Sequence, residues 1–221
     1  FIPSDNENDF ADAVFDGAQP DRMALREGWR KLLPHAISDP LNAQSWRGGR
    51  GHAVSALEMP DAPVQPGWNH PDAPYKKPVC IEWHSARLKN RRRVWIFTTG
   101  DDRPDRPLAV LLDGQFWAES MPVWPALASL TRDGKLPPAV YVLIDVIDTA
   151  HRSRELPCNP DFWLAVQEEL LPHIQCIAPF SDRADRTVAA GQSFGGLSSL
   201  YAGLNWQQRF GCVLSQSGSY W

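Results

Sequence analysis

The second half of the chain alternates short apolar runs with helix-like stretches, and this alternation restricts its possible folds more than any other feature. Three apolar runs end at Asp or Gly, as buried strands do where they leave a sheet; they are Leu108–Leu112, Ala139–Ile144 and Thr187–Ala190. A fourth run consists of Val213, Leu214 and the residues before them. The helix-like stretches between them are Trp117–Leu130, Phe162–Ile177 and Ser193–Leu204. Short buried strands alternating with helices predict an α/β fold, with a mostly parallel sheet covered by helices on both faces.

The residues before this alternation have a different character. Val79–Ser85 and Arg93–Thr98 are two strand-like runs joined by a short polar turn, which predicts an antiparallel edge on the sheet. Residues 38–78 are rich in Pro, Gly and Trp, which is typical of an extended segment, and a helix is predicted from Pro20 to about His35. We therefore divide the chain into an N-terminal extension, residues 1–74, and a second domain, residues 75–221. The chain lacks an initiating Met and stops just after a strand-like run, so we expect both ends to be cut and this domain to be incomplete at its C-terminus.

Charge and cysteine content exclude some classes of function. A net charge of -4 argues against general nucleic-acid binding, which needs a broad basic face. The longest apolar run, Ala139–Ile144, is far short of the ~20 residues that a membrane span needs. The spacing of Cys80, Cys158, Cys176 and Cys212 fits no metal motif, so no metal site is predicted. Cys176 and Cys212 lie in apolar stretches and are expected to be buried free thiols, which favours a reducing compartment.

One motif carries chemistry. Residues 191–195 have the sequence Gly-Gln-Ser-Phe-Gly, the G-x-S-x-G pattern, with a predicted strand before it and a predicted helix after it. In this context the pattern predicts a sharp strand-to-helix turn that exposes the hydroxyl of Ser193 as a nucleophile. Gly191 and Gly195 supply the small residues that such a strained turn needs. The alternative is a tight turn with a chemically idle serine.

The strand–turn–helix arrangement around Ser193 also predicts where an oxyanion hole lies. One donor is the backbone N–H that follows the nucleophile, here Phe194, and the other comes from the loop after an earlier strand. Leu108–Leu112 is such a strand, so the N–H of Gln115 is the second candidate. Asp113 lies in the same loop, but the catalytic acid of this fold follows the nucleophile in sequence, so we expect Asp113 to shape its own loop.

Long motifs around these residues resemble a known family. They include GQSFGGLSSLYAGL, FGCVLSQSGSYW, RVWIFTTGD, RPLAVLLDGQFW and LPPAVYVLIDVIDTAHRSRELPCN, and they closely resemble the enterochelin (enterobactin) esterases of enteric bacteria. The resemblance covers nearly the whole chain. It implies an α/β-hydrolase catalytic domain, over residues 75–221, in a cytoplasmic enzyme that hydrolyses the trilactone of ferric enterobactin. It implies no cofactor, since iron enters only within the substrate, and an upstream β-sandwich domain whose last residues would be Phe1–Ile2.

A bulky aromatic trianion would suit cationic and aromatic side chains. Arg152 and Arg154 follow strand Ala139–Ile144 at the edge where such sheets bind ligands, and they are candidates to bind the catecholates, against the alternative of a solvated loop. Trp117 and Trp221 are candidates to line the pocket, against the alternative that they pack the domain. A denser basic run, Arg91 to Arg93, is interpreted as surface.

The histidine of a catalytic triad is missing from the sequence after Ser193. The resemblance implies that it lies in a C-terminal segment, and His151 is the alternative base within the chain. Two other functions stay open: a related esterase or acyltransferase acting on another ester, since one fold hosts many activities, and a non-catalytic binding member of the fold. The intact G-x-S-x-G turn with both oxyanion candidates argues against the second.

Overall fold

The computed structural model describes residues 74–221 without a break and, before them, residues 27–28, 31, 35, 37, 39–42, 44–47, 53–65 and 68. The chain forms two compact units that divide between Ala62 and Pro63. In the first unit, strands β1 (Ser45–Arg47) and β2 (Ala53–Ser55) pair antiparallel. The helix predicted from Pro20 lies largely outside the described residues, and the domain boundary after residue 74 stays a prediction.

Six strands of the described part form the sheet of the second unit: β3 (Val79–Ser85), β4 (Asn90–Thr98), β5 (Leu108–Leu111), β6 (Val140–Ile144), β7 (Thr187–Gln192) and β8 (Cys212–Gln216). Their spatial order is β3-β4-β6-β5-β7-β8. The four neighbouring strands β6, β5, β7 and β8 run parallel to one another, whereas β4 is antiparallel to both β3 and β6. The predicted mostly parallel sheet with an antiparallel edge is therefore confirmed.

Helices cover both faces of this sheet. They are α1 (Trp124–Arg132), α2 (Thr149–Glu155), α3 (Pro160–Ala165), α4 (Leu171–Ile177) and α5 (Phe194–Asn205). Side chains alternate along β4, so Val94 and Ile96 pack into the core that contains Trp163, while Phe97 packs on the other face against Trp124 of α1. The central strands are buried on both faces, which explains why their sequences are continuously apolar.

Two predicted helices depart from regular α-helix geometry beside a proline. The prediction of one helix over Trp117–Leu130 was wrong, because a π-helical turn at Phe116–Ser120 ends before Pro122 and α1 begins separately. The stretch predicted as Phe162–Ile177 is helical throughout, but a π-helical segment, Val166–Leu170, joins α3 to α4. Pro172 has no N–H to offer a carbonyl one turn earlier, so the helix widens there instead of continuing as a regular α-helix.

The interpretation of Arg92 as a surface residue was wrong. Strand β4 begins at Asn90, and alternation from there places Arg92 on the same face as Val94. The Arg92 side chain is almost wholly buried, its Cζ lies 5.6 Å from the ring centroids of Trp83 and Phe162, and its Nη2 donates to Glu155. The basic run predicted as surface therefore includes one core residue, which the pattern of charge alone did not reveal.

The cysteines also differ from expectation. Cys176 and Cys212 are exposed, as are Cys80 and Cys158, so the prediction that the first two are buried was wrong. Cys176 lies on the outer side of α4, and Cys212 belongs to β8, whose residues are mostly exposed at the end of the sheet. Among the described residues, no helix is long and apolar enough to cross a membrane, and no cluster of His, Cys, Asp and Glu could hold a metal ion.

Candidate active site

The turn between β7 and α5 holds Ser193 in a strained conformation. Its φ of 55° and ψ of -121° lie in a region that residues other than glycine seldom occupy. Three backbone hydrogen bonds hold it there: the Ser193 N–H donates to Gln216 O (3.0 Å), and Ser193 O accepts from the N–H groups of Ser219 (3.1 Å) and Leu197 (3.0 Å). The loop after β8 therefore braces the turn, which is as sharp as the G-x-S-x-G motif predicts.

Close packing explains the glycines around the serine. A Cβ added to Gly191 would lie 2.5 Å from the backbone C and O atoms of Gly195, and one added to Gly196 would lie 2.7 Å from Ser215 Oγ. A Cβ on Gly195 itself would lie 3.2 Å from Asp113 Oδ2, a much milder contact. The requirement for glycine is therefore strictest at Gly191, where backbone atoms block any side chain.

The hydroxyl of Ser193 has a neighbour that sequence reasoning missed. Within the part of the chain that the structure describes, Ser193 Oγ hydrogen-bonds Ser219 Oγ at 3.1 Å, and Ser219 is buried. Ser219 is brought there by the loop that braces Ser193, a contact between residues that no motif spacing signals. His151 contacts Asp148: its Nδ1 lies 2.9 Å from Asp148 Oδ2, and its backbone N–H donates to Asp148 Oδ1.

The two candidate oxyanion donors lie after neighbouring parallel strands. Leu111 pairs with Ala190, so the loop after β5 and the turn after β7 leave the sheet at the same edge. Phe194 begins α5 and Gln115 precedes the π-helical turn, so both N–H groups come too early in their helices for an intrahelical acceptor. The Gln115 side chain accepts from the Val146 N–H at 3.4 Å, which ties its loop to the end of β6. Donation to a reacting oxygen stays a prediction for both residues.

Arg152 lies on the short helix α2, and not in the solvated loop that the alternative interpretation assumed. Its Nε donates to Asp113 Oδ1 at 2.6 Å and its Nη2 to Asp113 Oδ2 at 2.8 Å. The Asp113 carboxylate is buried, and hydrogen bonding to it raises the pKa of Arg152, against the opposing effect of burial. The guanidinium thus already has an anionic partner, and direct contact with substrate stays a prediction for Arg152.

The other candidate substrate residues differ in exposure. Arg154 also lies on α2, with an exposed side chain and no ion pair among the described residues. Trp117 is half-buried and packs edge-to-face on Phe116, with ring centroids 4.8 Å apart. Trp221 is 90% exposed. Arg154 is therefore accessible to a ligand, whereas Trp117 also contributes to packing, and contact of Trp221 with substrate stays a prediction.

Comparisons with known proteins agree with this geometry. The model of a family described as "Putative esterase" matches residues 85–221, and that of "Enterochelin esterase, N-terminal" matches residues 1–68. The iron(III) enterobactin esterase of Escherichia coli O6:H1 is 72% identical over all of this chain and 54% of its own length. The chain thus spans about half the length of the curated relatives it matches.

Solved structures give the same result. The ferric enterobactin esterase of Salmonella typhimurium superposes with a TM-score of 0.88 at 74% identity, over 93% of this chain and 52% of that one. The enterobactin esterase of Shigella flexneri, crystallised in the presence of enterobactin, gives a TM-score of 0.85 at 75% identity, over 93% and 53% of the two chains. The sheet, the strained serine turn and the family match over residues 85–221 together show that this chain has an α/β-hydrolase fold and belongs to the esterase family.

Proposed function

We propose that this chain carries the nucleophile and oxyanion hole of a serine esterase that hydrolyses the trilactone of ferric enterobactin. The observation that carries the proposal is the conformation of Ser193, which holds a partly buried hydroxyl at the start of α5, beyond the carboxyl end of β7. Strain of this kind is concentrated at functional sites, because it persists only where the surroundings enforce it. The substrate follows from the similarity to iron(III) enterobactin esterases.

In the proposed reaction, Ser193 Oγ attacks an ester carbonyl of the trilactone and forms a tetrahedral intermediate. The N–H groups of Phe194 and Gln115 stabilise its oxyanion, which has more negative charge than the carbonyl it came from. The intermediate collapses to an acyl-enzyme and releases the alcohol of a neighbouring serine unit, and water then hydrolyses the acyl-enzyme. Hydrolysis of the remaining ester bonds in the same way yields dihydroxybenzoylserine units, which bind iron less tightly than the intact siderophore.

A base must take the proton of Ser193, and we expect it in the part of the full-length protein that this chain does not include. Ser193 Oγ contacts Ser219, and a serine hydroxyl is too weak a base for this role. His151 contacts Asp148 through Nδ1, and no hydrogen bond between His151 and Ser193 is present among the described residues. We expect Arg154, Trp117 and Trp221 to contact the anionic, aromatic ligand, and the reaction to take place in the cytoplasm.

The test uses the full-length protein that contains this chain. Ferric enterobactin is incubated with the parent and with Ser193→Ala, and dihydroxybenzoylserine is quantified by chromatography. Ser193→Ala should remove nearly all turnover while leaving binding of the ferric siderophore largely intact, because the hydroxyl is a small part of a large contact. The control is Ser153→Ala, which changes an exposed serine of α2.

Two results would contradict the proposal. Turnover by Ser193→Ala within about tenfold of the parent would exclude Ser193 as nucleophile. A parent that hydrolyses a simple aryl ester in a Ser193-dependent reaction, but ferric enterobactin no faster, would retain the esterase and exclude the substrate.

A further inference from the structure

A single guanidinium links the two loops of the proposed oxyanion hole. Arg152 Nε and Nη2 bind both oxygens of Asp113, which lies two residues before Gln115. Nη2 also lies 3.4 Å from Gln192 O, the carbonyl just before the nucleophile. Arg152 Cζ lies 5.6 Å from the ring centroid of Phe194, the residue just after it. Arg152 therefore contacts the loop after β5 and both residues that flank the serine.

The loop that Arg152 holds is conformationally demanding. Asp113 has a φ of 56°, a left-handed conformation in which a residue with a side chain is strained. Gly114 passes so close to β6 that an added Cβ would lie 2.6 Å from Ile144 N. The loop is thus pressed onto the sheet in an unfavourable backbone conformation, and the bidentate bond to a buried carboxylate is well suited to keeping it there.

Arg152 is itself on a fixed support. The first turn of α2 is capped by Asp148, which accepts from the His151 N–H at 2.8 Å. The last residue of the helix, Glu155, forms a buried ion pair with Arg92 of β4 at 2.7 Å. Because both ends of this short helix are held, the guanidinium is presented to Asp113 at a defined position.

We propose that Arg152 is a positioning residue: through Asp113 it sets the separation of the Gln115 and Phe194 N–H groups, and it is not primarily a contact for the catecholates. The inference rests on the proposed role of Ser193 as nucleophile, but it is independent of which ester is the substrate. An oxyanion hole acts on every ester that reaches the serine, whereas a catecholate contact acts only on the siderophore. The two roles therefore predict different effects on a small neutral ester.

The experiment measures kcat and KM of the full-length protein for p-nitrophenyl acetate and for ferric enterobactin. The variants are Arg152→Gln, Arg152→Lys, Asp113→Asn and the double variant Asp113→Asn with Arg152→Gln. The matched control is Arg183→Gln, since Arg183 makes the same two-bond contact with Asp185, at 2.9 and 2.6 Å, on the exposed surface. Thermal unfolding and the rate at which a fluorophosphonate labels Ser193 are recorded for each protein.

If Arg152 positions the loops, Arg152→Gln and Asp113→Asn each lower kcat for p-nitrophenyl acetate by about 10²-fold, the effect of losing one oxyanion donor, with KM changed little. Labelling of Ser193 slows in parallel, because the phosphonyl oxygen uses the same donors. The double variant is no worse than the single ones, since they disrupt one unit. Arg152→Lys recovers only part of kcat because lysine cannot bind both carboxylate oxygens in a fixed plane.

Other results would overturn the inference. Unchanged kcat for p-nitrophenyl acetate, with a raised KM confined to ferric enterobactin, would make Arg152 a direct substrate contact. A lowered Tm with unchanged kcat of the folded enzyme would make the pair merely structural. If Arg152→Gln does not fold, Asp113→Asn, which preserves shape, decides between these outcomes. A parent that cleaves p-nitrophenyl acetate through Ser193 but does not cleave ferric enterobactin contradicts the proposed substrate and leaves this test valid.

Discussion

The guanidinium of Arg92 and the carboxylate of Glu155 form an ion pair of 2.7 Å, in which the side chains are only 1% and 5% exposed. Asn90 Nδ2 donates to the other carboxylate oxygen at 2.8 Å, and Arg92 Nη1 donates to Asp145 O at 3.2 Å. The pair joins β4 to the end of α2. It therefore ties the helix that carries Arg152 to the sheet.

Removing one partner of this pair should be strongly destabilising. Glu155→Gln leaves the Arg92 cation buried without its anion, so we expect the free energy of unfolding to fall by about 3–5 kcal/mol. Urea unfolding followed by circular dichroism measures this. The exposed pair of Arg183 and Asp185 is the control, and Asp185→Asn should leave stability nearly unchanged. Equal effects of the two substitutions would contradict the prediction.

The two glycines of the serine turn should respond differently to alanine. Gly191→Ala forces a Cβ to within 2.5 Å of Gly195 backbone atoms. We therefore expect the free energy of unfolding to fall by at least about 1–3 kcal/mol and the activity to be lost. Gly195→Ala meets its nearest neighbour at 3.2 Å and lies in a helix, where alanine is favoured over glycine by roughly 0.5–1 kcal/mol. Thermal unfolding of both variants tests this, and a Tm of Gly191→Ala above that of Gly195→Ala would refute it.

Arg154 provides a test of electrostatic substrate binding. If its exposed guanidinium meets a catecholate, Arg154→Gln should raise KM for ferric enterobactin about threefold at low salt, the size expected for an exposed ion pair. The ratio of the KM of the variant to the KM of the parent should approach one at high salt, where screening already weakens the contact in the parent. Arg91→Gln, which changes an exposed arginine of β4, is the control. A KM that is unchanged at every salt concentration would remove Arg154 from the site.

Asp148 predicts a pH dependence at the start of α2. The backbone N–H of His151, followed by its side chain, lowers the pKa of Asp148 below its ordinary value. A carboxylate with a lowered pKa in the folded state contributes stability that is present above its unfolded pKa, about 3.9, and is lost as pH falls through the folded pKa. Asn caps helices as well as Asp does, so Asp148→Asn keeps the backbone cap but removes the charge and the second acceptor oxygen, which pairs with His151 Nδ1.

We therefore expect Asp148→Asn to have a lower Tm than the parent at pH 7 and a Tm close to that of the parent once the pH is below the lowered pKa of the folded Asp148 carboxylate. Differential scanning calorimetry at the two pH values measures the difference. A Tm difference that persists unchanged in acid would show that the carboxylate charge is not its source.

Local patterns in the sequence predict the sheet well, because they concern neighbours along the chain. Val79–Ser85 was predicted with the bounds that the structure shows, and the turn at Ser193 follows from the glycines on either side. The π-helical segment before Pro172 could have been anticipated from the missing N–H of that proline. Such features depend on backbone chemistry within one or two turns.

Partnerships between distant residues could not be predicted in this way. Arg92 belongs to a run of three arginines, and only Glu155 on a different element explains why it is buried. Asp113 ends an apolar run and Arg152 lies in a polar stretch, and their pairing depends on how β5 and β6 lie side by side. Charge alone gives no partner, so the sequence predicts separate roles for Asp113 and Arg152.

The order of the strands has a consequence for how the protein acquires activity. The hairpin of β3 and β4 closes a short loop, but β5 pairs with β7, which follows much later in the chain, and only that pairing brings Asp113 beside the serine turn. Closing a long loop is entropically more costly than closing a short one, and non-local pairing is slower. Reactivity of Ser193 toward a covalent probe therefore reports that β5 and β7 have paired, which is the long-range contact that builds the site.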